Sequence, residues 1–171
     1  MALSRLTPEQ MVAAFGDPSE YLGSDGTVST GWERQIVGYA KLPAPLPLSW
    51  LKTVRVSRFK CHRRLIPHFE AALADTFGDP EVWATVNDFG GCYEFRANRR
   101  DPKRLSAHAF GAGIDLDVAE NPQGREPKVH PRLPGIWERN GFLWGGTFKG
   151  KAKDGMHFEF ADLGRLSPWL T

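Results

Sequence analysis

The sequence is poor in cysteine and has neither a long apolar run nor a large net charge. Of its 171 residues two are cysteines, Cys61 and Cys92, too few for a disulfide framework and not spaced as in a zinc finger. We therefore expect two free, partly buried thiols. No run approaches the roughly 20 apolar residues of a membrane span, and the start MALSRLTPEQ lacks the basic-then-apolar pattern of a secretory signal. These absences predict a soluble chain made in the cytoplasm, without a signal peptide or a membrane span.

The small net charge also restricts the partners. A formal charge of +2 is too small to argue for nucleic acid, and we expect no nucleic-acid partner. Lysine and arginine nevertheless concentrate in KTVRVSRFKCHRR, residues 52–64, which we call the basic cluster. Two interpretations stay open: a surface that attracts an anionic polymer such as cell wall or nucleic acid, and a solvated basic face.

The chain does have an ordinary globular composition, with 41% hydrophobic and 25% charged residues. With a length of 171 residues, this predicts a single domain, and we expect a monomer. We divide the chain into an N-terminal arm, residues 1–50, and a core, residues 51–171. In the arm, the capping box TPEQ predicts a helix at about 8–15, and the alternating prolines of KLPAPLPLSW (41–50) predict an extended connector.

The core is predicted to be α+β, a small antiparallel sheet with flanking helices. Strands outnumber helices and mostly do not alternate with them, which disfavours a doubly wound parallel sheet. The apolar patterns and their glycine and proline boundaries predict strands at 53–59, 92–96, 113–118, 142–144 and 156–160, and helices at 62–77 and 132–140.

Two stretches carry candidate chemistry: SAHAFGAGIDLD, residues 106–117, and DGMHFEF, residues 154–160. Because side chains alternate along a strand, Asp115 and Asp117 should lie on one face of the first strand, opposite apolar residues. By the same alternation His157 shares a face of the second strand with Glu159. A carboxylate on a partly buried face must be paired, hydrogen-bonded or bound to a metal.

His108, Asp115 and His157 together satisfy that requirement as metal ligands. Two imidazoles and one carboxylate leave a fourth tetrahedral position for water, the arrangement of a catalytic site with one Zn²⁺ ion. The glycines at 111 and 113 allow a tight turn that brings His108 beside the strand. Asp154, three residues before His157, is placed to act as a general base on the water.

These motifs resemble the zinc peptidases that cut peptidoglycan peptides: VanY-type D-alanyl-D-alanine carboxypeptidases and the L-alanyl-D-glutamate endopeptidases of phage lysins. The shared pattern is Ser-x-His-x6-Asp followed by Glu or Asp-x-x-His, and every position is filled here. The resemblance implies that His108, Asp115 and His157 bind zinc and that Asp154 is the base, where many relatives carry glutamate. It also implies the small α+β fold shared with the hedgehog signalling domain.

The resemblance further implies substrate-binding residues. Ser106 would hydrogen-bond the substrate or orient the site. Arg96 matches an arginine that holds a substrate carboxylate or carbonyl, and Arg99 or Arg100 could serve instead. Trp144 would either shape the cleft or lie in the core.

The function that follows is a zinc-dependent, endolysin-like peptidoglycan hydrolase acting on the stem peptide at the cell wall. Cleavage between L-alanine and D-glutamate is expected, with D-alanyl-D-alanine carboxypeptidase as the alternative. The size and the missing signal suggest a phage lysin that reaches the wall by phage-assisted release. A rival from another class is a non-catalytic, zinc-stabilised binding or phage structural module. A nucleic-acid binder, suggested only by the basic cluster, ranks third.

Overall fold

The computed structural model is α+β with flanking helices, as predicted, and has one six-stranded sheet. It describes residues 3–25, 28–99, 101 and 103–166. The strands are β1 (Val37–Leu48), β2 (Leu51–His62), β3 (Phe89–Gly91), β4 (Gly113–Leu116), β5 (Phe142–Trp144) and β6 (His157–Phe160). The helices are α1 (Pro8–Phe15), α2 (Thr30–Ile36), α3 (Ile66–Phe77), α4 (Pro80–Trp83) and α5 (Leu133–Arg139).

The strands lie in the order β2-β1-β3-β4-β6-β5. The pairs are antiparallel apart from β1 with β3, which run parallel and meet at Leu48 and Phe89, so the sheet is mixed and not wholly antiparallel as predicted. This order places β4 and β6 side by side near one end of the sheet. The two stretches that carry the candidate chemistry are therefore neighbours in space.

The segment predicted as an extended connector, residues 41–50, is instead mostly part of β1, which pairs with β2 on both sides of a register break. The connector prediction is wrong because proline was taken to end pairing. Two of the three prolines, Pro43 and Pro45, fall in a register break between Lys41 and Leu46, where the ladder does not need their missing N–H groups. The division into an arm and a core stays a prediction, although β1 lies within the sheet.

The helices predicted at 8–15, 62–77 and 132–140 correspond to α1, α3 and α5, whereas α2 and α4 were not predicted and one predicted strand is absent. Helix α1 begins behind Thr7, whose side chain accepts a hydrogen bond from the backbone of Gln10 in a complete capping box. The strand predicted at 92–96 is wrong: β3 ends at Gly91, and the following residues form loop. Two of the three residues of β3 are glycines, which give no alternation signal, so the pattern was assigned to the more apolar residues after them.

Helix α3 covers the sheet with an aromatic core. The Phe69 ring lies 5.6 Å from Phe59 of β2 and 4.8 Å from Phe142 of β5, centroid to centroid. Strands β2 and β5 are the two edge strands, so the Phe69 side chain contacts both edges of the sheet. Both cysteines are buried free thiols, as expected, and burial raises the pKa of Cys61 to about 12. Within the described ranges, none of the helices has the length and apolar character to cross a membrane.

Candidate metal centre

Strands β4 and β6 set the floor of the site. Asp115 and His157 are directly opposite each other in the antiparallel register. Their neighbours Ile114 and Phe158 are fully buried in the core, so alternation turns Asp115 and His157 to the other face. The predicted faces of both strands are thus correct at these positions.

Asp117, however, does not join Asp115. Strand β4 ends at Leu116, and Asp117 has a positive φ of 56°, so the alternation stops before it. Its carboxylate instead accepts hydrogen bonds from Asn87 at 2.9 Å and from Asn121 at 3.0 Å. Asp117 therefore stabilises the loop after the strand.

His108 reaches the site from a 3₁₀ turn, Ala107–Phe110. Ser106 caps that turn, because its Oγ accepts a hydrogen bond from the His108 amide at 3.3 Å. Gly111 ends the turn in the left-handed region, with φ of 64°. A Cβ on Gly113 would come within 2.9 Å of the His157 ring, so glycine is required where the turn approaches β6.

The three side chains converge on one point. Asp115 Oδ1 lies 3.3 Å from His108 Nε2 and 2.9 Å from His157 Nδ1. One donor atom from each of the three residues lies within 4.8 Å of the others, so the group can hold a metal ion. A tetrahedral zinc ion with ligands at about 2.0–2.1 Å separates them by about 3.3 Å, so these donors fit zinc after small shifts.

Each imidazole is oriented by the nitrogen that faces away from this point. His108 Nδ1 lies 2.7 Å from the carbonyl oxygen of Cys92, a partner that fixes a proton on Nδ1 and leaves Nε2 to bind. His157 Nε2 lies 3.1 Å from Glu159 Oε2, which leaves Nδ1 to bind. The two histidines would thus present different ring nitrogens to a metal.

Sequence reasoning missed the role of Glu159 and of its partner Arg5. Arg5 Nε donates to Glu159 Oε1 at 2.8 Å, across 154 positions of sequence. The His-x-Glu spacing places Glu159 on the strand face of His157 but does not show that it contacts the imidazole. Nothing local to Arg5 indicates that it reaches β6.

The charges of this group depend on one another. Burial opposes a charge on His157, but hydrogen bonds with Asp115 and Glu159 outweigh it and raise the pKa of His157 to about 10. Burial also opposes charge on the two carboxylates, yet the imidazoles hold the pKa of Asp115 far below its usual range. His157 and Arg5 lower the pKa of Glu159 to about 2. In the absence of metal, protonated His157 therefore supplies the positive charge between the two carboxylates.

Asp154 faces the same cavity as the three candidate ligands. Its Oδ2 accepts a hydrogen bond from Gln123 at 3.0 Å. Its Oδ1 is buried and has no hydrogen-bond partner among the described residues. Burial raises the pKa of Asp154 to about 6. Such a carboxylate is suited to exchanging protons near neutral pH.

Three arginines, Arg5, Arg96 and Arg99, line the cavity. Arg96 and Arg99 border it together with Ser106, and Arg96 Nε donates to Glu94 at 2.9 Å. Arg100, the third candidate, lies outside the described residues. Trp144 is partly buried against the core, and its Nε1 donates to the Gly155 carbonyl at 2.9 Å, so it supports the loop before β6.

The basic cluster is largely engaged by the fold. The contacts are an ion pair of Lys52 with Asp88, an ion pair of Lys60 with Glu33 at 3.2 Å, a hydrogen bond from Arg55 to the Pro45 carbonyl, and a stack of Arg58 on the Tyr39 ring. These contacts neutralise or restrain the charges. They favour the interpretation as a solvated face.

A comparison with protein families identifies what the chain is similar to. Residues 100–160 match the D-alanyl-D-alanine carboxypeptidase family. The match covers a little over a third of the chain and contains Ser106, His108, Asp115, Asp154 and His157. The resemblance drawn from the two motifs is confirmed. No curated protein and no solved structure matches the chain significantly.

The match supports a zinc metallopeptidase that acts on peptidoglycan. The His-Asp-His group agrees with it, since its donors can hold the metal such a peptidase requires. Arg5 and Arg96 lie outside the matched range. The expectations of an endolysin and of phage origin receive no support from the match.

Proposed function

We propose that the protein is a zinc-dependent peptidase that hydrolyses an amide bond in the peptidoglycan stem peptide. His108, Asp115 and His157 hold the metal, and Asp154 is the general base. The observation that carries the proposal is the buried oxygen Asp154 Oδ1, which has no partner among the described residues and faces the cavity of the three ligands. A structural zinc site is closed by four protein ligands and does not require a proton-accepting carboxylate beside the metal.

The mechanism divides the work between the metal and the chain. When bound, zinc polarises the scissile carbonyl and lowers the pKa of a water molecule to about 7. Asp154 accepts a proton from the attacking water at Oδ1, while Gln123 holds Oδ2 in place. Asp154 then returns the proton to the leaving amine. Ser106 holds the His108 turn.

Arg96 and Arg99 bind a carboxylate next to the scissile amide. Arginine presents a planar pair of donors that suits a carboxylate. Both candidate bonds have such a group nearby: the α-carboxylate of D-glutamate and the terminal carboxylate of D-alanine. The arginines therefore explain recognition of stem peptides without selecting the bond.

We propose the bond between L-alanine and D-glutamate as the site of cleavage. Two neighbouring cavities share lining residues with the metal cavity. One shares Arg96, His108 and Asp115 with it and extends to Trp50, and the other shares Arg5 and extends to Met11. These neighbouring cavities would give room to a peptide that continues beyond the cut.

D-alanyl-D-alanine carboxypeptidase is the second candidate, because the matched family carries that description. Mass spectrometry of digested stem peptides distinguishes the two activities. Separation between L-alanine and D-glutamate identifies the endopeptidase. Loss of one terminal alanine identifies the carboxypeptidase.

The roles of the residues are tested by alanine substitutions. Asp154→Ala is expected to abolish turnover of purified peptidoglycan while zinc stays bound, because the base is not a ligand. His108→Ala and His157→Ala are expected to lose zinc as well. Metal content is measured by plasma emission and turnover by release of new amino groups.

Full activity of Asp154→Ala would contradict the mechanism. A zinc-loaded wild-type protein without activity on any peptidoglycan chemotype would instead favour the non-catalytic module.

A further inference from the structure

The segment before α1 reaches the metal centre through one side chain, Arg5, which also lines the metal cavity. Arg5 contacts Glu159 with two donors, Nε at 2.8 Å from Oε1 and a terminal nitrogen at 3.2 Å from Oε2. Glu159 in turn meets His157 Nε2 at 3.1 Å. The three residues form a continuous chain from the N-terminal segment to a candidate ligand.

Arg5 is held on a second side as well. Its guanidinium carbon lies 4.6 Å from the centre of the Phe148 ring, a cation–π contact. Phe148 itself lies beside His157, with ring centroids 6.4 Å apart. The Arg5 side chain is 47% exposed, yet it is restrained from both directions, which an ordinary surface ion pair is not.

Glu159 needs this partner because of where it lies. It is 5% exposed and shares its carboxylate between an imidazole and a guanidinium. Without Arg5 the carboxylate would be buried with one partner and free to rotate away from His157. His157 would then lose the contact that directs Nδ1 toward Asp115.

We propose that Arg5 is a positioning residue for the metal centre, acting through Glu159 to hold His157 in its ligand orientation. This inference rests on the metal site of the proposed function and does not depend on which bond is cut. Carboxylates behind a metal-bound histidine orient it and increase its basicity. Arg5 in turn restrains that carboxylate, although it lies in a distant part of the sequence.

The test is zinc affinity, measured by competition with a chelator. Arg5→Ala and Glu159→Gln should each weaken zinc binding by about 10- to 100-fold. In the Glu159→Gln background, Arg5→Ala should cause no further loss, because Arg5 acts through Glu159. Arg5→Lys keeps the charge without the two-donor geometry and should fall between wild type and Arg5→Ala.

A matched control is Arg165→Ala, which removes an arginine of similar exposure from a surface ion pair with Asp162. It should leave zinc affinity unchanged. A second measurement uses the imidazole ¹⁵N signals of the metal-free protein: Arg5→Ala should shift those of His157 and leave those of His130 in place.

The proposal is overturned if Arg5→Ala binds zinc within about twofold of wild type, or if its effect persists in the Glu159→Gln background. Unchanged His157 signals in a folded Arg5→Ala variant would also overturn it. Failure of the hydrolase proposal is visible separately, since a protein without peptidase activity can still show the expected changes in zinc affinity.

Discussion

His157 lies between two carboxylates, Asp115 at Nδ1 and Glu159 at Nε2. Without metal it is a cation near neutral pH, since its pKa is raised to about 10. A zinc ion must displace the proton on Nδ1 before it can bind there. Zinc affinity is therefore coupled to pH through one side chain.

We expect zinc affinity to rise by about tenfold for each pH unit between about 7 and 9, because binding releases one proton over that range. Chelator competition at several pH values measures the slope. Calorimetry in buffers with different ionisation enthalpies gives the number of protons released. An affinity independent of pH would show that His157 is already neutral in the metal-free protein.

The sequence was sufficient to predict which side chains share a strand face. Asp115 and His157 follow from strand parity, and Asp154 from its spacing to His157. Glu159 shares the face of His157, but parity cannot say that it stands behind the imidazole. The role of Arg5 could not be predicted from sequence, because its contact with Glu159 joins residues 154 positions apart.

Helix α3 connects elements that the sheet itself keeps apart. Strands β2 and β5 are at opposite edges of the sheet, and Phe69 packs against an aromatic ring of each. The fourfold spacing of apolar residues predicts this helix from sequence. The proline-rich β1 and the glycine-rich β3 carry no comparable apolar spacing. Each forms a strand because it pairs with the strands beside it in the sheet.

Phe69→Ala should lower the free energy of unfolding by about 3–5 kcal/mol, since it leaves a cavity where both edges of the sheet meet. Urea unfolding followed by circular dichroism measures the change. Phe77→Ala, at the exposed end of the same helix, is the matched control and should cost much less. Equal losses from the two variants would mean that α3 does not join the edges.

The molecule as a whole should respond to metal and to pH together. Zinc at about 100 times its dissociation constant adds about 2.7 kcal/mol to stability, or about 5–10 °C in Tm. A chelator should reverse that gain. Differential scanning calorimetry with and without zinc measures it.

Without metal, the pH dependence has a defined sign. The folded-state pKa of His157 is raised from 6.5 to about 10, so its contribution is complete below pH 6.5 and is lost as pH rises through 10. The pKa of Glu159 is lowered from 4.5 to about 2, so its contribution is present above pH 4.5 and lost toward pH 2. We expect the metal-free protein to be most stable between pH 4.5 and pH 6.5. The stability gained from zinc binding should grow above pH 6.5.

The contact between Arg5 and Glu159 also sets an order of events during synthesis. The chain leaves the ribosome from its N-terminus, so Arg5 emerges 154 positions before its partner Glu159. His157 emerges only just before Glu159. A nascent chain can therefore form the β1–β2 hairpin and α3 before its metal centre is complete, and zinc uptake would follow these elements.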